Sequence, residues 1–575
     1  MRILLVTYRY GRDIPGGGER YLRELMLRLA ARGHHVEVYT TRSQRMIQTP
    51  FNYLVWDNFL PAGEEEDEGV RVRRFEVRNP RPRRARRIVD SILAMQERER
   101  ESPVFSALME EAVAGTEEHC FLCGWHEPER WEDGPARWTR RSATLVLGGE
   151  DLEGVVVEAY PYMDTNLQVE VSGEGSWEFE LSMGRTRELR VAFGTRLSAV
   201  VRFTVSRTAR PAGDVREVGL AVRRVTALAG GRECELELER GWREFLDTAR
   251  ESALARVLWG AAERRPPRAS RHHRYIMGPR SPRLEREVMA AARGCDVVLG
   301  AMVPMSTLDL AWRAARAYDK PFVAFPLFHT RDPNHYWDHF RKALEGAAGV
   351  EANSVAVEEL MREWGLSSFA VGPGYDLEEF ASPHIDGRRF RERFGFGSRP
   401  LLLWVGRKNE YKGYRAAMAA LRLVREKAPE AALVMIGPDE DNLPVSQDGV
   451  YYLGAQPRST LLDAYDACDA LLFPSLHESF CMVFGEAWLR GKPVLGNACC
   501  AAARGIIEHG VDGYLCREVE EYAQRVLELI VDPALARRMG ERGREKMLAT
   551  RGWDLLVERL EEKLREIAGG DRERV

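Results

Sequence analysis

Apolar positions along the chain change their period twice. Arg2–Thr7 is a short apolar run, Tyr8–Gly18 is a polar loop containing PGGG, and Glu19–Arg32 places Leu22, Leu25, Met26 and Leu29 at helical spacing. Gly33 stops that helix and His35–Thr40 is a second apolar strand, so the chain opens as a βαβ unit of a parallel, doubly wound sheet. Between 143 and 238 the period becomes two. Leu167/Val169/Val171, Trp177/Phe179/Leu181, Leu189/Val191/Phe193, Val201/Phe203/Val205 and Leu236/Leu238 alternate with polar residues, and glycine-containing turns separate the runs. This pattern predicts an antiparallel sandwich inserted into an α/β chain. RPPRASRHHR at 265–274 reads as a basic connector. Strand–helix alternation then resumes: strand Asp296–Gly300, helix Ser306–Tyr318, strand Phe322–Leu327, and strands Leu401–Val405, Ala432–Ile436, Ala470–Pro474 and Pro493–Gly496 with helices between. Trp553–Ile567 is a last amphipathic helix.

The pattern predicts two Rossmann-like domains facing a cleft. Residues 1–115 and 242–380 form the amino-terminal domain, 116–241 the inserted β-sandwich, 381–552 the carboxyl-terminal domain and 553–575 a terminal helix. The length of 575 residues fits three to four domains at roughly 150 residues each. A hydrophobic content of 45% excludes a disordered or fibrous chain, and a net charge of -4 gives no sign of a nucleic-acid partner. Nine cysteines are too few for a disulfide scaffold, and Cys295, Cys468 and Cys481 sit in apolar patterns as reduced core thiols do. MRILLVTYRY lacks a signal-peptide layout, and no apolar run reaches the roughly 18 residues of a membrane span. The expectation is a cytoplasmic protein.

The segment 470–488, ALLFPSLHESFCMVFGEAW, carries the most chemistry. A strand runs into a turn bearing His477 and Glu478, and a helix is predicted from about Ser479. The backbone N–H groups of Ser479, Phe480, Cys481 and Met482 would be the free donors of its N-terminus, a seat for a phosphate. Glu486 follows Glu478 by eight residues, about 12 Å of helical rise, so the two carboxylates suit the two ends of a long hydroxyl-bearing ligand. A dipole-stabilised charge plus a solvated glutamate explains the same spacing. Arg407 and Lys412, in GRKNEYKG after strand Leu401–Val405, are placed to neutralise a diphosphate, or form an ordinary basic loop. Gly437 and Gly454 at strand ends permit close approach of a ligand.

Taken together and in order, these segments resemble the retaining, nucleotide-sugar-dependent glycosyltransferases of the GT-B fold, specifically glycosyltransferase family 4. GRKNEYKG resembles the family's basic loop, and LGAQPRSTLLDAYDACDALLFPSLHESFCMVFGEAW its donor-site core. GPGYDLEEF at 372–380 resembles its linker entry, and PGGGERYLRELMLRLAARGHHVEVYT its amino-terminal glycine loop. The resemblance covers about 1–80 and 296–568. It implies that Arg407 and Lys412 hold the donor diphosphate, Glu486 the nucleotide ribose, and Glu478 the transferred sugar. It implies that His329, in FPLFHTRDP, points at the reacting centre, and that Gly17 and Gly18 bring backbone near the phosphate. The donor would be a nucleotide-diphosphate sugar, bound by the carboxyl-terminal domain, and the acceptor a hydroxyl of a glycan, a lipid-linked saccharide or a small molecule, bound by the amino-terminal domain. No metal or other cofactor is implied. Cys481 stands where the family usually has glycine, and GNACCAAARGIIEHG at 496–510 lacks the usual double glycine.

The insert has no counterpart in the core family and resembles small β-sandwich modules of bacterial glycosyltransferases. Trp125, Trp131, Trp138, Tyr160 and Tyr162 form either a sugar-stacking surface or a core. Cys120-x-x-Cys123, flanked by His119 and His126, has the residue types of a zinc site but no second pair. The run Arg81–Arg87 is a solvated loop or a contact for acidic lipid headgroups at the inner face of a membrane. The rival functions are a GT-B-type epimerase or phosphorylase, the latter with a lysine-bound pyridoxal phosphate, and a carbohydrate-binding scaffold with an inactive cleft.

Overall fold

The computed structural model describes residues 1–569 other than 15, 132–133, 212–213, 354 and 477. The chain forms two compact units, Met1–Arg86 with Ser270–Val575, and Arg87–Ala269. The larger unit holds two parallel sheets. In the first, strands Ser368–Ala370, Gly349–Ala352, Phe322–Phe325, Val297–Ala301, Arg2–Val6, His35–Thr41 and Val70–Phe75 lie side by side in that order, all parallel, with Gly63–Asp67 antiparallel at the edge. In the second the order is Val450–Tyr452, Ala432–Ile436, Leu401–Val405, Ala470–Phe473, Val494–Asn497, Gly513–Cys516, all parallel. The runs LLLWV and ALVMI are buried at every position, as strands covered by helices on both faces require. Each sheet has a switch point, between Arg2–Val6 and Val297–Ala301 in the first and between Leu401–Val405 and Ala470–Phe473 in the second. The loops that leave the carboxyl ends of these strands are where an open α/β sheet binds ligands.

The last helix, Trp553–Gly569, returns to the amino half. Trp553 stacks on Tyr21 with ring centroids 6.2 Å apart, Arg28 lies 4.9 Å over the same indole, and Glu561 takes His34 and Arg32 at 2.8 and 3.1 Å. The linker beside it is held by Glu351, which is fully buried and accepts from Tyr21 Oη and Gly372 N, both at 2.9 Å.

The smaller unit is antiparallel, in the order Gly175–Leu181, Thr165–Val171, Arg187–Val205, Gly134–Pro161, Leu220–Ala229, Arg232–Glu235, with His119–Trp125 and Glu129–Trp131 also on Gly134–Pro161. Its two long strands break register at Gly148–Leu152 and Ala192–Ser198, which folds one sheet into two layers. Leu145, Leu147, Val201 and Phe203 from one layer and Val155, Val157 and Val191 from the other share one apolar core, so the insert is a sandwich. The unit extends beyond 116–241 at both ends, because helix Pro103–Val113 packs on its long strands and on helix Glu251–Glu263.

Three local readings are corrected. Leu236 and Leu238 are buried but lie beyond the last strand, which ends at Glu235. The connector at 265–274 is largely helix Pro267–Met277, whose proline occupies a first-turn position with no N–H to lose. The run Arg81–Arg87 opens helix Pro82–Arg100 for the same reason, with Arg84 and Arg86 stacked 4.6 and 3.6 Å over Tyr275 and Phe51. No helix of the described residues is long and apolar enough to cross a membrane.

Two predictions follow from the packing. A fragment of 87–269 should melt cooperatively with a β-type circular dichroism spectrum. A fragment of 116–241, stripped of the helices bearing Phe105, Met109, Leu254 and Val257, should melt lower or not cooperatively, and equal melting would show that the helices add nothing. Burial raises the Glu351 carboxyl to about 7. Because the folded value lies above the unfolded one, its contribution is full below about pH 4.5 and is lost as pH rises toward 7. Glu351→Gln should therefore flatten the dependence of the melting temperature on pH across that window. An unchanged slope would remove Glu351 from the balance.

Candidate active site

The two loops at the second switch point are built against each other. Gly413 has φ 72°, and a Cβ there would lie 2.0 Å from the carbonyl oxygen of Pro474. Only glycine lets the basic loop seat against the strand end. Leu476 N donates to Tyr411 O at 2.9 Å, which ties the loops further. Lys412 thereby meets Glu478, with Nζ 2.5 Å from Oε1, and Ser475 Oγ donates to the same oxygen at 2.8 Å. Both side chains are nearly buried, at 12% and 11% exposure, so the charges are mutually compensated rather than solvated. Burial works against both charges, but the pairing outweighs it. Lys412 is held above the ordinary lysine range and Glu478 below the ordinary carboxylate range.

Arg407 lies in the same loop but is half-exposed, donating to Glu440 Oε1 at 3.0 Å and Tyr411 Oη at 2.6 Å. It feels the Glu478 charge and acts on Lys412, so the two cations share one field. His329 enters from the amino half, on the loop after strand Phe322–Phe325. Loss of hydration, then the neighbouring His335, push its imidazole down to about 3, while Glu478 opposes the shift and Lys412 adds to it. The structure thus brings together His329, Lys412 and Glu478, and holds the imidazole neutral at physiological pH.

The helix predicted from Ser479 begins instead at Met482. Cys481 has φ 67° and ψ 59°, a left-handed conformation that ends the preceding turn, so Ser479 and Phe480 lie outside the helix. Phe480 and Cys481 are buried, and Phe484 N is spent on Cys481 O, which leaves the N–H groups of Met482 and Val483 at the terminus. Gly17 opens helix Gly17–Ala31 beside this terminus: a Cβ on it would lie 3.7 Å from Met482 Sδ. Gly18 owes its identity to packing, since a Cβ there would lie 2.5 Å from Leu327 and 2.7 Å from Met302. At Gly437 the close approach is made by the protein itself, with Gly406 O 1.7 Å from the position of a Cβ. His477 lies outside the described residues.

Glu486 is buried, and both its oxygens are engaged, by Arg458 Nη1 at 2.7 Å and Tyr465 Oη at 2.7 Å. Arg458 in turn binds Glu379 through two donors at 3.0 and 2.7 Å. Each carboxylate oxygen keeps a second lone pair for a hydroxyl. Sequence reading missed Arg458 and Glu379, and it missed Arg331, whose guanidinium donates to Cys499 O at 3.2 and 2.9 Å across the two halves. In the insert, Trp131 meets Tyr160 edge to face and Trp138 at a tilt, and Trp131, Trp138 and Tyr160 pack with Val218 and Ala221 as a small core, while Tyr162, edge to face with Trp138, is exposed. The rings of His119 and His126 are spent on the carbonyls of Glu237 and Glu217, and burial keeps the Cys120 and Cys123 thiols protonated. Among the described residues no group of three or more metal-ligating side chains assembles.

Residues 387–546 match the family model described as glycosyl transferases group 1, and residues 16–109 match that of the glycosyl transferase 4-like domain. Both α/β halves thus carry segments that match glycosyl transferase models, and the fold is GT-B. A GDP-mannose-dependent alpha-(1-6)-phosphatidylinositol monomannoside mannosyltransferase of Mycobacterium tuberculosis is 29% identical over 34% of this chain and 54% of its own length. A trehalose synthase of Pyrococcus horikoshii is 27% identical over 28% of this chain and 42% of its own. The chain therefore spans about half the length of these relatives. The structure of sucrose-phosphate synthase from Thermosynechococcus elongatus covers 99% of both chains at 13% identity with a TM-score of 0.51, a likeness of fold.

Gly413→Ala should force the basic loop off Pro474 and separate Lys412 from Glu478. We expect a loss of more than about 2 kcal/mol, from positive φ and a backbone clash together. Chemical denaturation measures it, and a loss below about 0.5 kcal/mol would mean that the loop seats without the glycine.

Proposed function

We propose that the protein transfers a sugar from a nucleotide-diphosphate donor to a hydroxyl acceptor with retention of anomeric configuration. The observation that carries this reading is the meeting of Lys412, Glu478 and His329 at the carboxyl edges of two sheets that match glycosyltransferase models. The donor diphosphate would take up Lys412 and Arg407 and the Met482 and Val483 N–H groups. Negative charge builds on its departing oxygen as the bond to the anomeric carbon breaks, and these groups face that charge without reorganising. The acceptor oxygen forms its bond on the same face, and its proton passes to the departing diphosphate. Glu478, ionised through Lys412, would stand near the sugar as positive charge grows there, and neutral His329 would orient a sugar hydroxyl. Glu486 would accept ribose hydroxyls. Two cations and a helix terminus supply the charge that a metal supplies elsewhere, so no metal is required. The mannosyltransferase and trehalose synthase relatives support a hexosyl donor, and the absence of a membrane-spanning helix among the described residues fits action at a membrane surface or in solution equally.

Release of nucleoside diphosphate from a panel of nucleotide sugars tests the reading, and no release with any donor would overturn it. With the true donor, Arg407→Ala or Lys412→Ala should cost about 10²-fold in kcat/KM. Glu486→Gln should raise the donor KM more than it lowers kcat, because a ribose contact is made equally in ground and transition states. Glu478→Gln should lower kcat. Reversed effects would exchange the two roles.

A further inference from the structure

A second cavity in the larger unit contains none of the residues discussed above as the active site. Four arginines line it, Arg271, Arg274, Arg280 and Arg313, against a single lining carboxylate, Glu285. Behind the wall Asp309, with no exposed surface, holds two of them: Arg274 Nε at 3.1 Å and Arg313 Nε at 3.0 Å from Oδ2. One buried carboxylate so fixes two guanidiniums at the cost of only one charge. Arg280 is aligned by stacking 4.6 Å over the ring of Tyr275, itself a lining residue, and neither it nor Arg271 has a carboxylate partner among the described residues. The cavity therefore presents positive charge in excess, with Arg274, Arg280 and Arg313 already oriented.

The backbone adds to that charge. Helices Pro282–Ala292 and Ser306–Ala317 both begin here, with Ser281, Ser306 and Thr307 among the lining residues. Ser306 N donates to Gly278 O at 2.8 Å and Ser306 Oγ to Pro279 O at 2.9 Å, which locks the two helix starts together with their positive ends at the cavity. Its place in the fold is equally specific. Helix Ser306–Ala317 follows strand Val297–Ala301, and in a parallel sheet every such loop leaves at one edge. Between them Met302 packs against Gly18, so the cavity lies on the same edge as Gly17, Gly18 and His329.

We propose that this cavity binds a phosphate group carried by the acceptor, which makes the acceptor class anionic. Guanidinium pairs match the tetrahedral oxygens of a phosphate with two donors each, and the positive ends of the two helices add to the attraction. The word acceptor rests on the glycosyltransferase reading; the phosphate site does not. The phosphate belongs either to a soluble phosphorylated molecule or to a phospholipid headgroup.

Titration of glycerol 3-phosphate into the full-length protein by calorimetry, with flotation on phosphatidylglycerol and phosphatidylcholine vesicles in parallel, tests the site. Lys412→Ala removes one of the two competing donor cations. Binding that survives in Lys412→Ala and weakens about tenfold or more in Arg271→Gln and Arg280→Gln, with the melting temperature of the two arginine variants unchanged, is expected. Binding in solution assigns a soluble ligand, and retention on phosphatidylglycerol alone assigns a headgroup. Arg280→Lys should recover part of the loss, because the charge remains while the fork is gone. Binding lost in Lys412→Ala but kept in the arginine variants, binding equal in all variants, or no binding of either probe overturns the proposal. Nucleotide release is read separately in the same variants, so failure of the glycosyltransferase reading is distinguishable from failure of this one.

Discussion

The buried ion pair of Lys412 with Glu478 is the constraint around which the carboxyl half is arranged. Neither charge is tolerable at that depth without the other, since an unpaired buried ion costs several kcal/mol. Bringing the two together requires that two loops separated by more than sixty residues of chain touch at backbone distance. Gly413, Pro474, Tyr411 and Leu476 serve that approach. The pair also explains how Glu478 remains ionised in an enclosed site, while burial and His335 keep the nearby His329 imidazole neutral.

A second set of contacts joins the amino half to this pair. Gly17 faces Met482, and Arg331 spans to Cys499. These are backbone approaches and a hydrogen bond to a carbonyl, which leave side-chain chemistry free for a ligand. Arg407 and Lys412 lie in the carboxyl half and the arginine-lined cavity in the amino half, so each half carries its own cluster of positive charge.

Much of this was legible from residue order. Leu401–Val405 and Ala432–Ile436 read directly as parallel strands, because burial on both faces demands unbroken apolar runs. Arg407, Lys412 and Glu478 stood out because short loops after such strands concentrate charge. The helix start did not, since nothing in ALLFPSLHESFCMVF announces a left-handed cysteine. Helix Pro267–Met277 was hidden by prolines that mark a loop in one context and a first helical turn in another. Arg458 and Glu379 lie 79 residues apart and carry no spacing signal, so only the fold makes them neighbours of Glu486. Gly437 was legible as a site of close approach, but the sequence does not say that the approaching atom is Gly406 O.

The return of helix Trp553–Gly569 to the amino half has a mechanical consequence. The chain passes between the halves once at 372–375 and again at 551–553, and the two crossings are bridged to each other at Tyr375 and Gly552. Tyr375 N donates to Arg551 O at 2.9 Å, and Arg551 Nη1 donates to Val371 O at 2.8 Å, which splices them further. A single tether would let the halves twist, slide and separate. Two spliced tethers remove sliding and most of the twist, and leave bending about one axis as the soft coordinate. Any excursion that opens the cleft is then a door-like swing that brings the same residues back into register on each return.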